Sequence, residues 1–394
     1  MSCEDIGKNY KWNDSVFGFN RKYGATGYDY GWNAAPSSFD EGIILVGRKQ
    51  ELINGQTDLW AIKTDEKGLV EWEKTFGGNF DEDGYDVIST SDGGFLFVGH
   101  TWSFGLSQQV YAIKTDFYGN LIWEQTFGGA TWDVGESIIE LKTGGFLIAG
   151  HSNSPKISSG NTDIYLIKIS NEGALIWEKG YGNLNFPNHE WAYDVAQLED
   201  ESFLVVGARD RYEQGSKNAL IIKVNKDGGL LWEKEITTKN NTSEILYSIS
   251  EAKNGKFYIC STNNSTNNLD QFQPEILVID IEGNIGWRRT FLANGKSYHR
   301  FKSSATNNGD VIIIGTSSAK ASIGNNEDAF MTKVDTNGNI LWSFSYGTYD
   351  NDDWGWSVFE ANDNNLIFVG STKSYGASLF DIFLVGTNSE GISK

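Results

Sequence analysis

The 394-residue chain holds only four histidines, and each sits beside other residues able to do chemistry. His100 and His151 end two copies of one motif, LFVGH and LIAGH. His189 lies in NHEWAY with Trp191 and Tyr193, just ahead of ARDRY, which carries Arg209 and Arg211. His299 is followed by Arg300. An imidazole, a tyrosine and an arginine can together remove a proton from the carbon next to a carboxylate. The cation neutralises the acid, and the tyrosine acts first as base and then as acid. His151, Tyr193, Arg209 and Tyr247 are residues of these types. Aromatic residues crowd the same segments, and flat rings stack on the C–H faces of sugars while cations hold a carboxylate or sulfate. Trp32, Tyr85, His100, His189, Trp191, Arg211, His299, Arg300, Phe301 and Trp356 are therefore the candidate ligand-binding set.

Whether these residues meet depends on the elements that carry them, and those elements repeat. YAIKTDFYGNLIWEQTFGG (111–129) reads as a β-hairpin: β-branched and aromatic residues alternate with polar ones around a turn built from Asp, Gly and Asn. Its cognates recur along the chain, and their tryptophans, Trp72, Trp123, Trp177, Trp232, Trp287 and Trp342, stand 51, 54, 55, 55 and 55 residues apart. A second hairpin fills each gap, as in YDVISTSDGGFLFVGH (85–100) and ESIIELKTGGFLIAGH (136–151). Each unit is thus four short antiparallel strands, a to d. Four strands per period of about 50 residues is the signature of a β-propeller.

The ends set the blade count. FDIFLVGTNSEGISK (380–394) supplies a c strand and its turn with no d strand after it, and VFGFNRKYG (16–24) is a d strand with nothing before it. With Phe19 in the tryptophan slot there are seven d strands. The expected fold is therefore all-β: a seven-bladed β-propeller of four-stranded antiparallel blades, whose last blade is closed by the N-terminal d strand and the C-terminal c strand, leaving no open edge. Residues 1–11 are expected to be a flexible tail and 12–394 a single propeller.

In such a ring the d–a and b–c loops share the face around the channel mouth. Two registers appear when the d–a loops are aligned. Trp32, Tyr85, Glu136, Tyr193, Tyr247, Phe301 and Trp356 are expected at the first residue of strand a. Three positions earlier stand Asp29, Glu82, Asp133, Glu190, Glu244, Tyr298 and Asp353. Recurrence on this scale also fits a structural role, in which an acid accepts backbone N–H groups and a ring packs on the next blade. Differences between blades concentrate three of the four histidines, with Arg209, Arg211 and Arg300, in blades 3 to 6, while His100 falls in blade 2.

A net charge of −20 makes nucleic acid and anionic membranes poor partners, because phosphate binding needs clustered lysine and arginine. No apolar run reaches 18 residues, so no transmembrane segment is expected. Neither GxSxG, HExxH, a P-loop nor a CxxC pair is present. The acidic run Asp81–Asp86 hints at calcium but lacks the closing Glu of an EF-hand loop, so no cofactor is expected. Cys260, in KFYICST, reads as a buried apolar residue.

The repeat IKTDxxGNxxWExxFGG resembles that of PQQ-like, quinoprotein-type propellers. The adjacent cysteine pair that resembles a quinone-binding signature is missing, which implies no bound PQQ. Cys3 in MSCEDIG, with Glu4 and Asp5 behind it, resembles the lipid-bearing residue and acidic tag of Bacteroidetes surface lipoproteins; a plain disordered tail is the alternative. The resemblance implies an extracellular or outer-membrane location and a possible lipid anchor through Cys3. Seven-bladed polysaccharide lyases use a histidine, a tyrosine and an arginine on this face, and His151, Tyr193, Arg209 and Tyr247 are similar in kind and in blade order; the resemblance implies that they are the catalytic set, with Arg209 and His151 neutralising a uronate carboxylate and Tyr193 acting as base and then as acid. The leading expectation is a propeller that binds a polysaccharide or other extracellular ligand on the d–a/b–c face. A lyase acting on a uronate-containing glycan is the alternative, and a protein-assembly scaffold the second.

Overall fold

The computed structural model describes residues 18–24, 27–51, 55–158, 161–182, 188–211 (for Arg211 the backbone), 216–236, 243–252, 255–263, 273–291, 301–318, 326–348, 350–361 and 363–393. Cys3, Tyr298, His299, Arg300 and the Arg211 side chain lie outside this set. Seven four-stranded antiparallel sheets follow one another in the order a-b-c-d. Blade 1, for example, comprises Tyr30–Pro36, Ile43–Gln50, Thr57–Thr64 and Val70–Phe76. Blade 7 joins Asp353–Glu360, Leu366–Thr372 and Asp381–Thr387 to Phe19–Tyr23, with Phe19 opposite Gly386 and Tyr23 opposite Ile382. The two ends of the described chain are thus hydrogen-bonded into one sheet, and the ring closes as a seven-bladed β-propeller.

Burial explains the composition of each strand. Strands b and c are covered on both faces, so Phe95–Thr101 and Gln109–Thr115 are buried throughout. Strand d is outermost, and Leu121–Phe127 is largely exposed. Seven apolar clusters lie between neighbouring blades, such as Ile44, Val46, Leu59 and Ala61 of blade 1 against Val87, Phe95 and Phe97 of blade 2. The lysine of the IKTD motif runs inside this packing: Lys63 is fully buried, its Nζ 2.8 Å from Asp40 and 2.7 Å from Glu71, and Lys114 repeats the arrangement with Asp92 at 3.0 Å.

The tryptophan period acts as a clasp from blade to blade. Trp72 Nε1 donates to the Phe117 carbonyl at 3.0 Å, Trp123 to Asn171 at 3.0 Å and Trp287 to Thr336 at 3.2 Å, each in the c–d turn of the next blade. The turn glycine must be bare there. A Cβ on Gly173 would sit 2.9 Å from the Trp123 ring, on a backbone with φ of +79°. Phe19 takes this place against Gly68 across the closure, and the Tyr23 hydroxyl supplies the bond to the Gly68 carbonyl at 2.7 Å.

One expectation is corrected. In five blades strand a begins not at the aromatic register but three residues earlier, at the acid, as in Glu82–Ser89, Asp133–Glu140, Glu190–Gln197 and Asp353–Glu360; in blade 1 it begins at Tyr30 and in blade 6 at Lys302. The residue of this register is the extra residue of a β-bulge: the pairing with strand b jumps across Tyr85, Glu136, Tyr193, Tyr247, Trp32 and Trp356. A bulge lets the strand continue while re-aiming one side chain out of the pleat.

Candidate functional site

The bulges converge on one place. Trp32, Tyr85, Glu136, Tyr193, Tyr247, Phe301, Trp356 and Lys302 line a single cavity at the inner ends of the blades, with about 30 Å³ between them. That is room for one or two waters. The rings touch around the circle: Trp32 and Trp356 have centroids 4.8 Å apart, Trp32 and Tyr85 5.9 Å, Tyr193 and Tyr247 5.2 Å. Phe301 is fully buried and packs edge-on against Phe330 at 5.7 Å.

Below the aromatics the next residue of every blade is polar: Asn33, Asp86, Ser137, Asp194, Ser248, Lys302 and Ser357. Their hydrogen bonds run from blade to blade. Ser357 donates to Asn33 and Asn33 to Asp86; the Ile138 N–H reaches Asp86 at 2.9 Å; Ser137 donates to Asp194 at 2.7 Å, as does the Ile249 N–H at 2.9 Å; the Ser303 N–H bonds Ser248 at 3.0 Å. Lys302 of blade 6 brings its Nζ to 4.0 Å from Asp86 of blade 2. Burial holds the Asp194 carboxyl above its ordinary range, with Lys302 pulling the other way. This belt lies one residue further along each strand a than the lining, and Lys302 is its member that reaches the cavity, here called the cup.

Above the cup, blades 7 and 1 build an aromatic platform. Tyr30 stacks on Trp32 (5.6 Å, 12°), on Trp354 (5.9 Å, 19°) and on Phe380 (5.2 Å, 30°), and Trp354 lies 4.1 Å from Phe380 and 5.8 Å from Trp356. Tyr30, Trp32 and Trp354 are half-buried. Arg48 covers Tyr30 at 4.5 Å and Lys373 covers Phe380 at 4.4 Å. Each cation has an acid partner: Arg48 pairs with Asp83 at 3.2 Å and Lys373 with Asp352 at 2.8 Å. Burial pushes Asp83 up to about 6 despite Arg48.

The remaining described candidates lie outside the lining of the cavity, His100 directly behind Tyr85. His100 is buried against Tyr85 at 5.4 Å; burial pushes it down to about 4, so it is neutral near pH 7. His151 is buried edge-on to Trp132 at 5.4 Å. His189 stacks on Trp191 at 5.8 Å and accepts the Thr162 N–H at 3.1 Å, while Lys217 covers Trp191 at 4.2 Å. Arg209 is enclosed by three carboxylates, Glu190 at 2.7 Å, Glu235 at 2.8 Å and Glu233 at 3.1 Å. Burial pushes Glu190 up to about 7 even beside that guanidinium. Arg209 therefore braces its own blade, joining strand a to strand d through these carboxylates.

The acid register is structural. Asp133 accepts the Gly129 N–H at 2.8 Å and the Ser154 hydroxyl at 2.9 Å, Asp353 accepts the Thr348 N–H at 2.9 Å, and Glu82 accepts the Gly78 N–H at 2.9 Å and Thr101 at 2.6 Å. The acids of Asp81–Asp86 likewise serve separate partners, Thr57, Thr101, Arg48 and Asn33. Among the described residues no three His, Cys, Asp or Glu side chains come together as a metal site. Sequence reasoning missed Tyr30, Trp354 and Phe380, and also the polar register; the latter was visible as a polar residue directly after each aromatic one.

No family model and no curated protein matches the chain. The quinoprotein-type resemblance therefore rests on the repeat's own residues. Solved structures do match. An ulvan lyase of polysaccharide lyase family PL25, bound to -[GlcA(1-4)Rha3S]-, superposes with a TM-score of 0.61 at 10% identity over 94% of this chain and 97% of that one. The β-propeller domain of the Trilobed protease from Pyrococcus furiosus matches with 0.51 at 10% identity over 93% and 96%, and Sqt1 of Chaetomium thermophilum with 0.50 at 10% identity over 93% and 97%. At such identity the likeness is one of fold, and the protease domain is itself a β-propeller.

Proposed function

We propose that the protein is a saccharide-binding propeller whose ligand lies on the aromatic platform of blades 7 and 1. The observation that carries this reading is the stack of Tyr30, Trp32, Trp354 and Phe380 at the channel mouth, with three of its rings only half-buried. A contiguous apolar aromatic face rimmed by polar groups is what a sugar ring needs for C–H stacking. Because Arg48 and Lys373 are already paired, the platform offers no excess positive charge, and the chain as a whole is at −20. A neutral saccharide fits better than an acidic polymer. The fold shared with a lyase bound to a glycan adds support for a carbohydrate ligand but carries no chemistry over.

Trp354→Ala is expected to weaken binding about tenfold, equivalent to about 1.4 kcal/mol, in titrations against the tightest binder from a glycan array. Tyr118→Ala, an exposed aromatic in a c–d turn on the other face, should leave that affinity unchanged. Equal losses in both variants, or none in either, would remove the platform from the account. Polyuronates should give no growth of the ultraviolet absorbance of an unsaturated product; growth that disappears in Tyr193→Phe would restore the β-elimination reading.

A further inference from the structure

The cup beneath the platform is too small for a sugar ring and too elaborate for a plain core. Its walls are six aromatic side chains and Glu136, its base includes Lys302, and it holds about 30 Å³. Trp32 and Trp356 belong to both features: Trp32 stacks on Tyr30 of the platform, and Trp356 meets Trp354 at 5.8 Å. A saccharide lying on the platform therefore rests at the lip of a space that admits a substituent of about two heavy atoms, the room otherwise taken by one or two waters.

The charges at the base select the kind of substituent. Lys302 faces Asp86 at 4.0 Å, and Asp194 lies in the same belt; Glu136 stands in the wall. A carboxylate entering the cup would meet Glu136 in its wall, and an ammonium would meet Lys302. A hydroxyl can both donate to a carboxylate and accept from an ammonium, and the methylene that carries it suits the aromatic wall.

We propose that the cup recognises the exocyclic hydroxymethyl group of a hexopyranose, so that the protein distinguishes neutral hexose chains from the matching pentose and uronate chains. This rests on the saccharide reading above. The test uses oligosaccharides of equal length that differ only at C6: gluco-, xylo- and glucurono-configured chains, and galacto-, arabinopyranosyl- and galacturono-configured chains. In isothermal titration one hexose series should bind about tenfold or more tighter than its pentose and its uronate. Glu136→Gln, which removes a negative charge from the wall, should raise the affinity for the uronate relative to the hexose. Equal affinity across a series that does bind would overturn the cup while leaving the platform intact. An absence of binding to every chain would overturn both.

Discussion

At the residue scale, identical side-chain types have different uses according to their surroundings. Arg209 looked like an anchor for a substrate carboxylate, yet three glutamates enclose it and it is almost wholly buried. Its value is to its neighbours, because removing one partner of a buried ion pair leaves a charge without compensation. Arg209→Met should therefore destabilise the fold by about 3 kcal/mol, measured as a shift in the urea midpoint, while saccharide affinity in the folded fraction stays the same. An unchanged midpoint with lost binding would mean that the guanidinium faces the ligand. Lys302 shows the converse: an unremarkable lysine after Phe301 becomes the one cation in the described polar belt of the channel. Nothing local in FKSSA tells the two cases apart, since each depends on residues contributed by other strands or other blades.

At the element scale, the repeat was legible because each of its residues answers a local demand. Asp116 accepts the N–H groups of Tyr118 and Asn120 at 2.9 and 2.8 Å, which makes the c–d turn. The tryptophan that follows then clasps the next blade's turn. Trp123→Phe keeps the ring but removes the donor to Asn171, and should cost about 1 kcal/mol. Gly173→Ala forces a side chain into both a positive φ and the Trp123 ring, and should cost about 1–3 kcal/mol. Thermal melts of the two variants and of their combination would check this; if the clasp is real, the double variant loses less than the sum, because both changes act on one contact. The bulge in strand a was not legible. Alternation in ESIIELK or YDVISTS fits a regular strand as well, and only the pairing with strand b shows that one residue is extra.

At the scale of the whole molecule, closure governs stability. Phe19–Tyr23 completes blade 7, and without it the strand Asp381–Thr387 would be an exposed edge beside an uncovered cluster of Ile382, Leu384 and Trp60. Deleting residues 1–24 should lower the melting temperature and give concentration-dependent aggregation in size-exclusion chromatography; a monomer with the parental melting temperature would show that six complete blades and a three-stranded seventh suffice. Strand number, blade number and the sharing of the last sheet were all determined by the sequence alone, because hairpin turns, alternation and the tryptophan period are local and repeat themselves. So was the membership of the aromatic ring, since equivalent positions in a closed ring must come together at the axis. What only the tertiary structure decided is which of those residues are left available. Pairing of Arg48 with Asp83, enclosure of Arg209, and the meeting of Tyr30 with Trp354 and Phe380 join residues far apart in the chain or on separate strands. Charge neutralisation and ring exposure are set by distances across the fold, and spacing along a chain does not encode them.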